Sequence, residues 1–329
     1  MSEDARAFLV ELGVESEAID ATPPEDWYLV QEHLFFGGRP TLTVADAAAA
    51  VDLDEAAVRR MWVILGFADP VSGRVFREGD LAMLRLYRDG VAVFGREPVE
   101  HFARVIGAAA RMMSDAMSAL WLDVLGEARA AATPRAHLEL ALMGGTLAKR
   151  IPDDLLAPLL HRHSLDSQVF SAEAGAIRTP ELEVAVGFCD LVGSTSLHNA
   201  VPADVMGRAL IGFEAASHDA AVRQGGRVIK LIGDEVMFAC IDVAAAEKIA
   251  AEIVSWVRTD PVLAGARAAI AHGTVVARGG DLYGPTVNLA ARLVASAEPG
   301  SIVVADPSGG DTVEVRGFDE PVRVRTLTL

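Results

Sequence analysis

Two aspartates occupy positions where a protein could hold divalent cations. Asp190 ends the apolar stretch ELEVAVGFCD, and Asp234 lies in the short turn of KLIGDEVMF. If the strands that carry them are neighbours in one sheet, both carboxylates reach the same edge. Paired carboxylates are how many proteins hold Mg²⁺ against a triphosphate, and two metal ions can activate one oxygen and stabilise another. The two segments together therefore suggest phosphate chemistry.

The residues after Asp190 also suit phosphate. A helix that begins at Gly193, Ser194 and Thr195 would offer free backbone N–H groups and the positive end of its dipole to an anion. Considered alone, each of these segments also has an explanation that involves no phosphate or metal ion. Ser194 or Thr195 could simply cap a helix, and Gly-Asp-Glu could be a common acidic turn.

A third segment, GDLYGPTVNLAARL, places Asp281, Asn288 and Arg292 at spacings of seven and four residues. Asn288 and Arg292 are one helical turn apart and so share a helix face. Asn288 offers amide donors, and Arg292 offers a guanidinium fork that suits phosphate. Lys230, one of only three lysines in the chain, stands four residues before Asp234.

Together, FCDLVGST, KLIGDEVMF and GDLYGPTVNLAARL resemble the catalytic domain of class III nucleotidyl cyclases, in the family's order and spacing, over residues 181–329. Gly-Asp-Glu also resembles the signature of diguanylate cyclases, but those enzymes lack the third segment. The resemblance implies that Asp190 and Asp234 bind two divalent metal ions, Mg²⁺ or Mn²⁺. It further implies that Asn288 orients the ribose and that Arg292 stabilises the transition state.

Lys230 and Asp281 match the pair that reads the base in this family. Adenine presents N1 as an acceptor and its 6-amino group as a donor, so a lysine can donate to the first and an aspartate can accept from the second. Guanine reverses this edge, and the family's guanylyl cyclases typically carry Glu and Cys instead. The pair predicts ATP as the substrate, with guanylyl or mixed purine activity as an alternative.

The resemblance also implies how the enzyme is assembled. The family works as head-to-tail dimers, in which one chain supplies the metal-binding aspartates and the other supplies the remaining four residues. All six are present in this chain, so a homodimer would contain two complete shared sites. The implied reaction is attack of the ribose 3′-oxygen on the α-phosphorus of ATP, which forms 3′,5′-cyclic AMP and releases pyrophosphate.

The elements that must position these residues follow from the hydrophobic pattern. From Glu181 onward, strands and helices alternate in the order βαββαβ and a final hairpin follows, which indicates an α+β, ferredoxin-like core. The preceding part reads as helical throughout. The predicted organisation is a helical regulatory domain with a connecting helix over 1–177, and a catalytic domain over 178–329.

Within the helical part, residues 41–84 resemble the helix-turn-helix of MerR-type regulators. Thr43 is a candidate cap for the first helix, and Asp52 or Asp54 for the second. The second helix would begin Asp-Leu-Asp-Glu, and acidic residues there would be repelled by DNA. DNA is therefore not expected as a partner. The alternative is a transcriptional regulator whose cyclase domain is catalytically silent.

The whole helical part resembles the regulatory domain found ahead of some actinobacterial soluble adenylyl cyclases. This resemblance implies autoinhibition, a response to acid pH and a possible fatty acid or lipid ligand. His161 and His163 flank Arg162 shortly before the catalytic domain, and histidine ordinarily titrates near neutral pH. The sequence thus predicts a pH-sensitive connecting helix, with two solvated surface histidines as the alternative.

Composition limits which other partners and cellular locations the sequence allows. The formal net charge is −17 at pH 7, which disfavours broad binding to DNA or to anionic lipid. There is no run of 18 or more uncharged apolar residues, so no membrane span is expected. The acidic N-terminus does not resemble a signal peptide. Cys189 and Cys240 lie in apolar runs and are expected to be buried, reduced thiols in a cytoplasmic protein.

Overall fold

The computed structural model describes residues 3–20, 40–70, 72–129, 134–175, 181–194, 197 and 201–329. The chain divides into two compact units, Met1–His161 and Arg162–Leu329. The sequence pattern placed this division later, between residues 177 and 178. The difference arises because Phe170 and Ala174 pack into the core of the second unit. The guanidinium of Arg227 also lies over the Phe170 ring, 3.6 Å from its centroid.

The first unit is built from helices. They are α1 (Glu3–Glu11), α2 (Ser16–Asp20), α3 (Val44–Val51), α4 (Glu55–Ile64), α5 (Asp80–Phe94), α6 (Arg96–Arg129), α7 (Pro134–Arg150), a π-helical turn (Ile151–Leu156) and α8 (Ala157–Glu173), which continues into the second unit. Across the described residues, no helix combines the length and the apolar character that a membrane crossing needs.

The helix-turn-helix segment has the predicted helices and caps. The backbone N–H of Asp46 donates to Thr43 Oγ1 at 3.1 Å, and the backbone N–H of Thr43 donates to the Asp46 carboxylate at 2.9 Å. Asp54 caps α4 by accepting a 2.6 Å hydrogen bond from a backbone N–H three residues on. Asp52 instead forms the turn between the helices, with a φ of 56°. The structure therefore assigns the second cap to Asp54.

Both arginines of α4 are engaged within the first unit. Arg60 Nε lies 2.6 Å from a carboxylate oxygen of Glu100, which is 4% exposed, and a second contact of 2.8 Å completes the fork. Arg59 donates to Asp69 at 3.3 Å and to the Pro70 carbonyl at 2.5 Å. The two cations that could attract a phosphate backbone to this helix thus have carboxylate partners already.

The second unit is an α+β fold around one mixed sheet. Its strands are β1 (Glu181–Leu191), β2 (Arg227–Ile232), β3 (Glu235–Cys240), β4 (Ala266–Arg278), β5 (Asp281–Tyr283), β6 (Ser301–Ala305), β7 (Asp311–Val313) and β8 (Val322–Thr328). Its helices are α9 (Ala203–Arg223), α10 (Val243–Val257), α11 (Pro285–Leu293) and a 3₁₀ turn (Val294–Ser296).

The strand order confirms the predicted fold class. The order is β2-β3-β1-β4-β6-β8-β7, with β5 paired to β4. Among the first four strands in this order, each neighbouring pair is antiparallel, as in a ferredoxin-like βαββαβ core. Strand β6 runs parallel to β4 and extends the sheet, and β7 and β8 form the predicted final hairpin. The short strand β5 is additional to the predicted βαββαβ order and final hairpin.

Side chains alternate between the two faces of the sheet. On one face Cys189 and Phe238 pack with residues of α9 and α10, such as Phe213. On the other face Met237 packs with residues of α11, such as Leu293. Burial on both faces explains why β1 is nearly continuous in apolar residues. The thiols of Cys189 and Cys240 are buried and free, as predicted, and burial raises the pKa of both.

Candidate active site

The structure brings Asp190 and Asp234 to the same end of neighbouring strands. Asp190, on β1, is the register partner of Glu235, the first residue of β3. Asp234 immediately precedes Glu235 in the chain. It is the second residue of a two-residue turn, and the first is Gly233, which has a φ of +67°. The backbone N–H of Leu191 donates to the Asp234 carbonyl at 3.2 Å, which fixes the two segments side by side.

A row of charged side chains crosses three strands at this point. Asp190 is paired in register with Glu235 on one side and with Arg267 of β4 on the other, and directly opposite residues project from the same face. Arg267 donates to Asp190 Oδ2 from Nη2 at 2.9 Å and from Nε at 3.1 Å. No sequence motif had pointed to Arg267 or Glu235 as residues of the site. Glu235 adjoins Asp234 in the sequence, whereas only the strand register reveals Arg267.

Glu235 is affected by its surroundings at this edge. The pKa of Glu235 is raised to about 7, mainly by burial and further by the negative charges of Asp190 and Asp234. The positive charge of Arg267 lowers it in part. Within the described residues, no group of three or more His, Cys, Asp or Glu side chains has the geometry of a metal site. Mg²⁺ is usually held by one or two carboxylates together with substrate phosphates. Asp190 and Asp234 provide that donor set, so they fit the implied metal ions.

Lys230 and Asp281 are in direct contact. Lys230 Nζ donates to Asp281 Oδ2 at 2.5 Å, and the two side chains are 38% and 23% exposed. The pairing of the strands within the sheet would not by itself place Lys230 next to Asp281. Lys230 is paired with Met237, which is paired in turn with Phe188 near the middle of the sheet. Asp281 is paired with Arg278, at the far end of β4. The contact exists because the β4–β5 hairpin folds back, so that β5 touches β2.

A bulge directs Lys230 toward this contact. The register of β2 against β3 shifts between Val228 and Lys230. Such a bulge turns the following side chain and bends the strand locally. Lys230 therefore projects from the same face as Met237, the face that also carries Asp190. Asp281 is fixed in turn by the backbone N–H of Leu282, which donates to its Oδ1 at 2.8 Å.

Asn288 and Arg292 lie one turn apart on α11, and both are exposed. The start of α11 is anchored to β4, since Thr286 Oγ1 donates to the Thr274 carbonyl at 2.9 Å. Arg292 donates through Nη1 to the Arg316 carbonyl.

The structure describes part of the segment that was predicted to bind phosphate. Gly193 has a φ of +71°, a left-handed conformation that favours glycine. Its carbonyl accepts a 3.1 Å hydrogen bond from the backbone N–H of Leu197, so a helical turn begins here. Ser194 is 8% exposed. Thr195 lies outside the described residues.

Comparison with known proteins finds relatives that match most of the chain, although no family model matches it. An uncharacterised protein of Mycobacterium tuberculosis is 30% identical over 312 residues, 89% of this chain and 81% of the relative. An adenylate cyclase of Streptomyces coelicolor is 28% identical over 90% of this chain and 78% of its own length. A pH-sensitive adenylate cyclase of M. tuberculosis is 29% identical over 94% and 80%.

The similarity to solved structures covers less than half of the chain. The crystal structure of an adenylyl cyclase from Pseudomonas aeruginosa matches 45% of this chain and 94% of its own, with 21% identity and a TM-score of 0.40.

Proposed function

The chain belongs to the adenylate cyclase family with a class III catalytic domain, and from that premise we propose that it converts ATP into 3′,5′-cyclic AMP and pyrophosphate. The observation that carries the proposal is the contact between Lys230 and Asp281, which lie 51 residues apart in the chain and 2.5 Å apart in the structure. Such a pair presents a donor beside an acceptor, the arrangement that complements the edge of adenine.

The other site residues act on the sugar and the phosphates. Asp190 and Asp234 would hold two divalent metal ions, Mg²⁺ or Mn²⁺. When bound, these ions would neutralise the triphosphate and assist the 3′-oxygen. Asn288 orients the ribose through its amide, and Arg292 donates to the phosphate on which negative charge develops. Gly193 and Ser194, which come after β1 and Val192, would donate backbone N–H groups to phosphate, and Thr195 keeps this role as a prediction from the sequence.

Each site is shared between two copies of the chain. Asn288 lies in the first turn of α11, which is anchored at Thr274. Asn288 and Arg292 are both exposed on that helix. Together with the division of roles that the family resemblance implies, this exposure supports a homodimer in which the partner copy supplies Asn288 and Arg292.

Exchange of the base-reading pair should move the substrate preference. Lys230→Glu combined with Asp281→Cys should lower kcat/KM for ATP at least about tenfold and raise it for GTP. Each buried polar group left without a partner costs about 1–3 kcal/mol. The control is Lys248→Glu, which changes an exposed lysine of α10 and should keep the ATP preference. A double variant that still prefers ATP would refute the role of this pair.

Two alternatives gain no support from these contacts. A regulator that binds DNA through α4 would need free cations there, but Arg59 and Arg60 pair with Asp69 and Glu100. A guanylyl cyclase would need a different base-reading pair from Lys230 and Asp281.

The first unit inhibits the cyclase activity of the catalytic unit, and the degree of inhibition depends on pH. His161 and His163 are both exposed, and the division between the two units falls directly after His161. Protonation of both, beside Arg162, would place three positive charges within a single turn of α8. A rise of two positive charges in this helix would change how it interacts with its surroundings, which is how a protonation switch biases an element that has two arrangements. A relative of the chain is itself described as pH-sensitive.

Acidification from about pH 7.5 to 5.5 should therefore raise the cyclase rate of the full chain, and a fragment of residues 162–329 should lack that rise. The fragment begins at 162 because Phe170 and Ala174 complete its core. His161→Ala with His163→Ala should flatten the response, while His218→Ala, an exposed histidine of α9, should not. Identical pH profiles for the fragment and the full chain would contradict the regulatory role.

The cytoplasmic location remains a prediction from the sequence. So does a fatty acid or lipid ligand of the first unit. An open cleft of about 390 Å³ between α4 and α6 is a candidate place for such a ligand. Apolar Ile64, Leu65 and Met112 line it together with Arg104 and Arg111. Failure of a fluorescent fatty acid to bind the full chain would argue against the ligand.

A further inference from the structure

The guanidinium of Arg292 is held by a turn that lies between β7 and β8. This β7–β8 turn consists of Val315, Arg316, Gly317 and Phe318. Arg292 donates through Nη1 to the Arg316 carbonyl, and its Cζ lies over the Phe318 ring, 5.8 Å from the ring centroid. A cation within about 6 Å of a ring centroid is attracted to the face of the ring. Two different contacts therefore fix the guanidinium within its own chain.

The β7–β8 turn and the helix that carries Arg292 are fixed relative to each other. The backbone N–H of Phe318 donates to the Val315 carbonyl at 3.0 Å, which closes the turn. Val315 is buried in the same cluster as Leu293, the residue that follows Arg292 in α11, and Phe318 packs against that cluster. The acceptor and the ring thus belong to the same core as the helix, so their distance from Arg292 is set by packing.

Gly317 leaves the space that the guanidinium occupies. As the third residue of the turn it has a φ of +80°, the value that a type II turn requires at this position. A Cβ atom at Gly317 would lie 3.3 Å from Cζ of Arg292 and closer still to Nη1, nearer than the Cβ atoms of real residues approach other atoms. Any side chain at position 317 would therefore displace the guanidinium from the Arg316 carbonyl.

A fixed guanidinium suits the role proposed for Arg292. An arginine side chain has many rotamers, and their freedom opposes any single geometry. Groups that stabilise a transition state act best when they are in place before the reaction, because no reorganisation is then needed. A guanidinium has five N–H donors, and the bond to Arg316 engages Nη1, so Nε and Nη2 can still form a fork toward phosphate.

We propose that the β7–β8 turn positions Arg292 for the transition state, and that Gly317 is a positioning residue for the cyclase reaction. This inference rests on the proposed role of Arg292. Phe318 supports the same position through the face of its ring. An interaction that acts only in the transition state changes kcat and leaves KM unaltered. The turn should therefore influence the rate of the chemical step and not the binding of ATP.

The test measures kcat and KM for ATP with the purified full chain at saturating Mn²⁺, together with the Tm of each variant. Gly317→Ala should lower kcat about tenfold and leave KM within about twofold of the parental value, because Arg292 is displaced but not removed. The Tm should also fall, because alanine is strained at a positive φ. A purely structural role of Gly317 would change the Tm without this separation of kcat from KM.

The chain offers a matched control in Gly300. It is also the third residue of a turn, since the backbone N–H of Ser301 donates to the Glu298 carbonyl at 3.0 Å, and its φ is likewise +80°. Apart from its chain neighbours, no atom of the described residues would lie within 4 Å of a Cβ atom added there. Gly300→Ala should therefore lower the Tm as Gly317→Ala does and leave kcat at the parental value.

A second variant removes the ring and keeps Gly317. Phe318→Leu retains an apolar side chain against the core but loses the aromatic face, so kcat should fall about threefold at an unchanged KM. If Gly317→Ala does not fold, Phe318→Leu decides, because a parental kcat there is equally contrary.

A parental kcat in Gly317→Ala would overturn the inference, as would an equal loss of kcat in Gly300→Ala or a rise in KM that accounts for the loss. A kcat above the parental value in Gly317→Ala would show that the turn withholds Arg292 from the site, which also overturns it. If the parent forms no cyclic AMP, the proposed function and this inference fail together. If the parent is active and the variants match it, the inference fails alone.

Discussion

We expect Asp190→Asn and Asp234→Asn each to lower the rate of cyclic AMP formation by more than about a hundredfold. Loss of a group that merely supports a metal ligand typically costs 10–100-fold, and these two residues are proposed as the ligands themselves. Asparagine keeps the size of the side chain but removes the negative charge that the metal ions need. The measurement is the initial rate with ATP at saturating Mn²⁺, with circular dichroism to confirm that each variant is folded.

The matched control is Asp204→Asn. Asp204 is an exposed aspartate of the same unit, and its Oδ2 lies 3.0 Å from Arg208 on α9. An exposed ion pair of this kind contributes little to stability, so the control should retain the parental rate. Parental turnover in either Asp190→Asn or Asp234→Asn would show that these carboxylates do not hold the metal ions.

Mixing two inactive variants should restore activity. Asp190→Asn removes a metal ligand, and Arg292→Ala removes a group that the partner copy contributes. In a mixed dimer both changes fall in one of the two shared sites, so the other site is intact. Random pairing of equal amounts makes half of the dimers mixed, and about a quarter of the parental sites are then complete. The expected activity is accordingly about a quarter of the parental rate.

A second mixture serves as the control for this experiment. Asp190→Asn and Asp234→Asn change the same half of the site, so each site of their mixed dimer lacks one metal ligand. That mixture should remain inactive. If affinity tags show that the mixed dimers of Asp190→Asn with Arg292→Ala form and no activity returns, the sites are not shared in this way.

Local patterns were sufficient to predict most of the elements. The apolar run before Asp190 predicted β1, and Gly233 with Asp234 predicted the tight turn between β2 and β3. Thr43 predicted the cap of α3. Each of these features depends on residues that are close in the chain, where spacing and turn chemistry decide the outcome.

The remaining features depend on contacts between distant segments. The pairing of Lys230 with Asp281 was predicted only through the family resemblance, because it requires the β4–β5 hairpin to fold back. The position of Arg267 beside Asp190 depends on a strand register that no local pattern specifies. The end of α8 was assigned to the first domain because helical periodicity cannot show that Phe170 packs on a sheet.

The most direct test of the central claim is to incubate the purified full chain with ATP and Mn²⁺ or Mg²⁺ and to quantify the products by chromatography and mass spectrometry. We predict that cyclic AMP and pyrophosphate appear in equal amounts, and that GTP is used more slowly under the same conditions. If no more cyclic AMP forms than with a chain that carries both Asp190→Asn and Asp234→Asn, or if cyclic GMP is the main product when both nucleotides are supplied, the claim is contradicted.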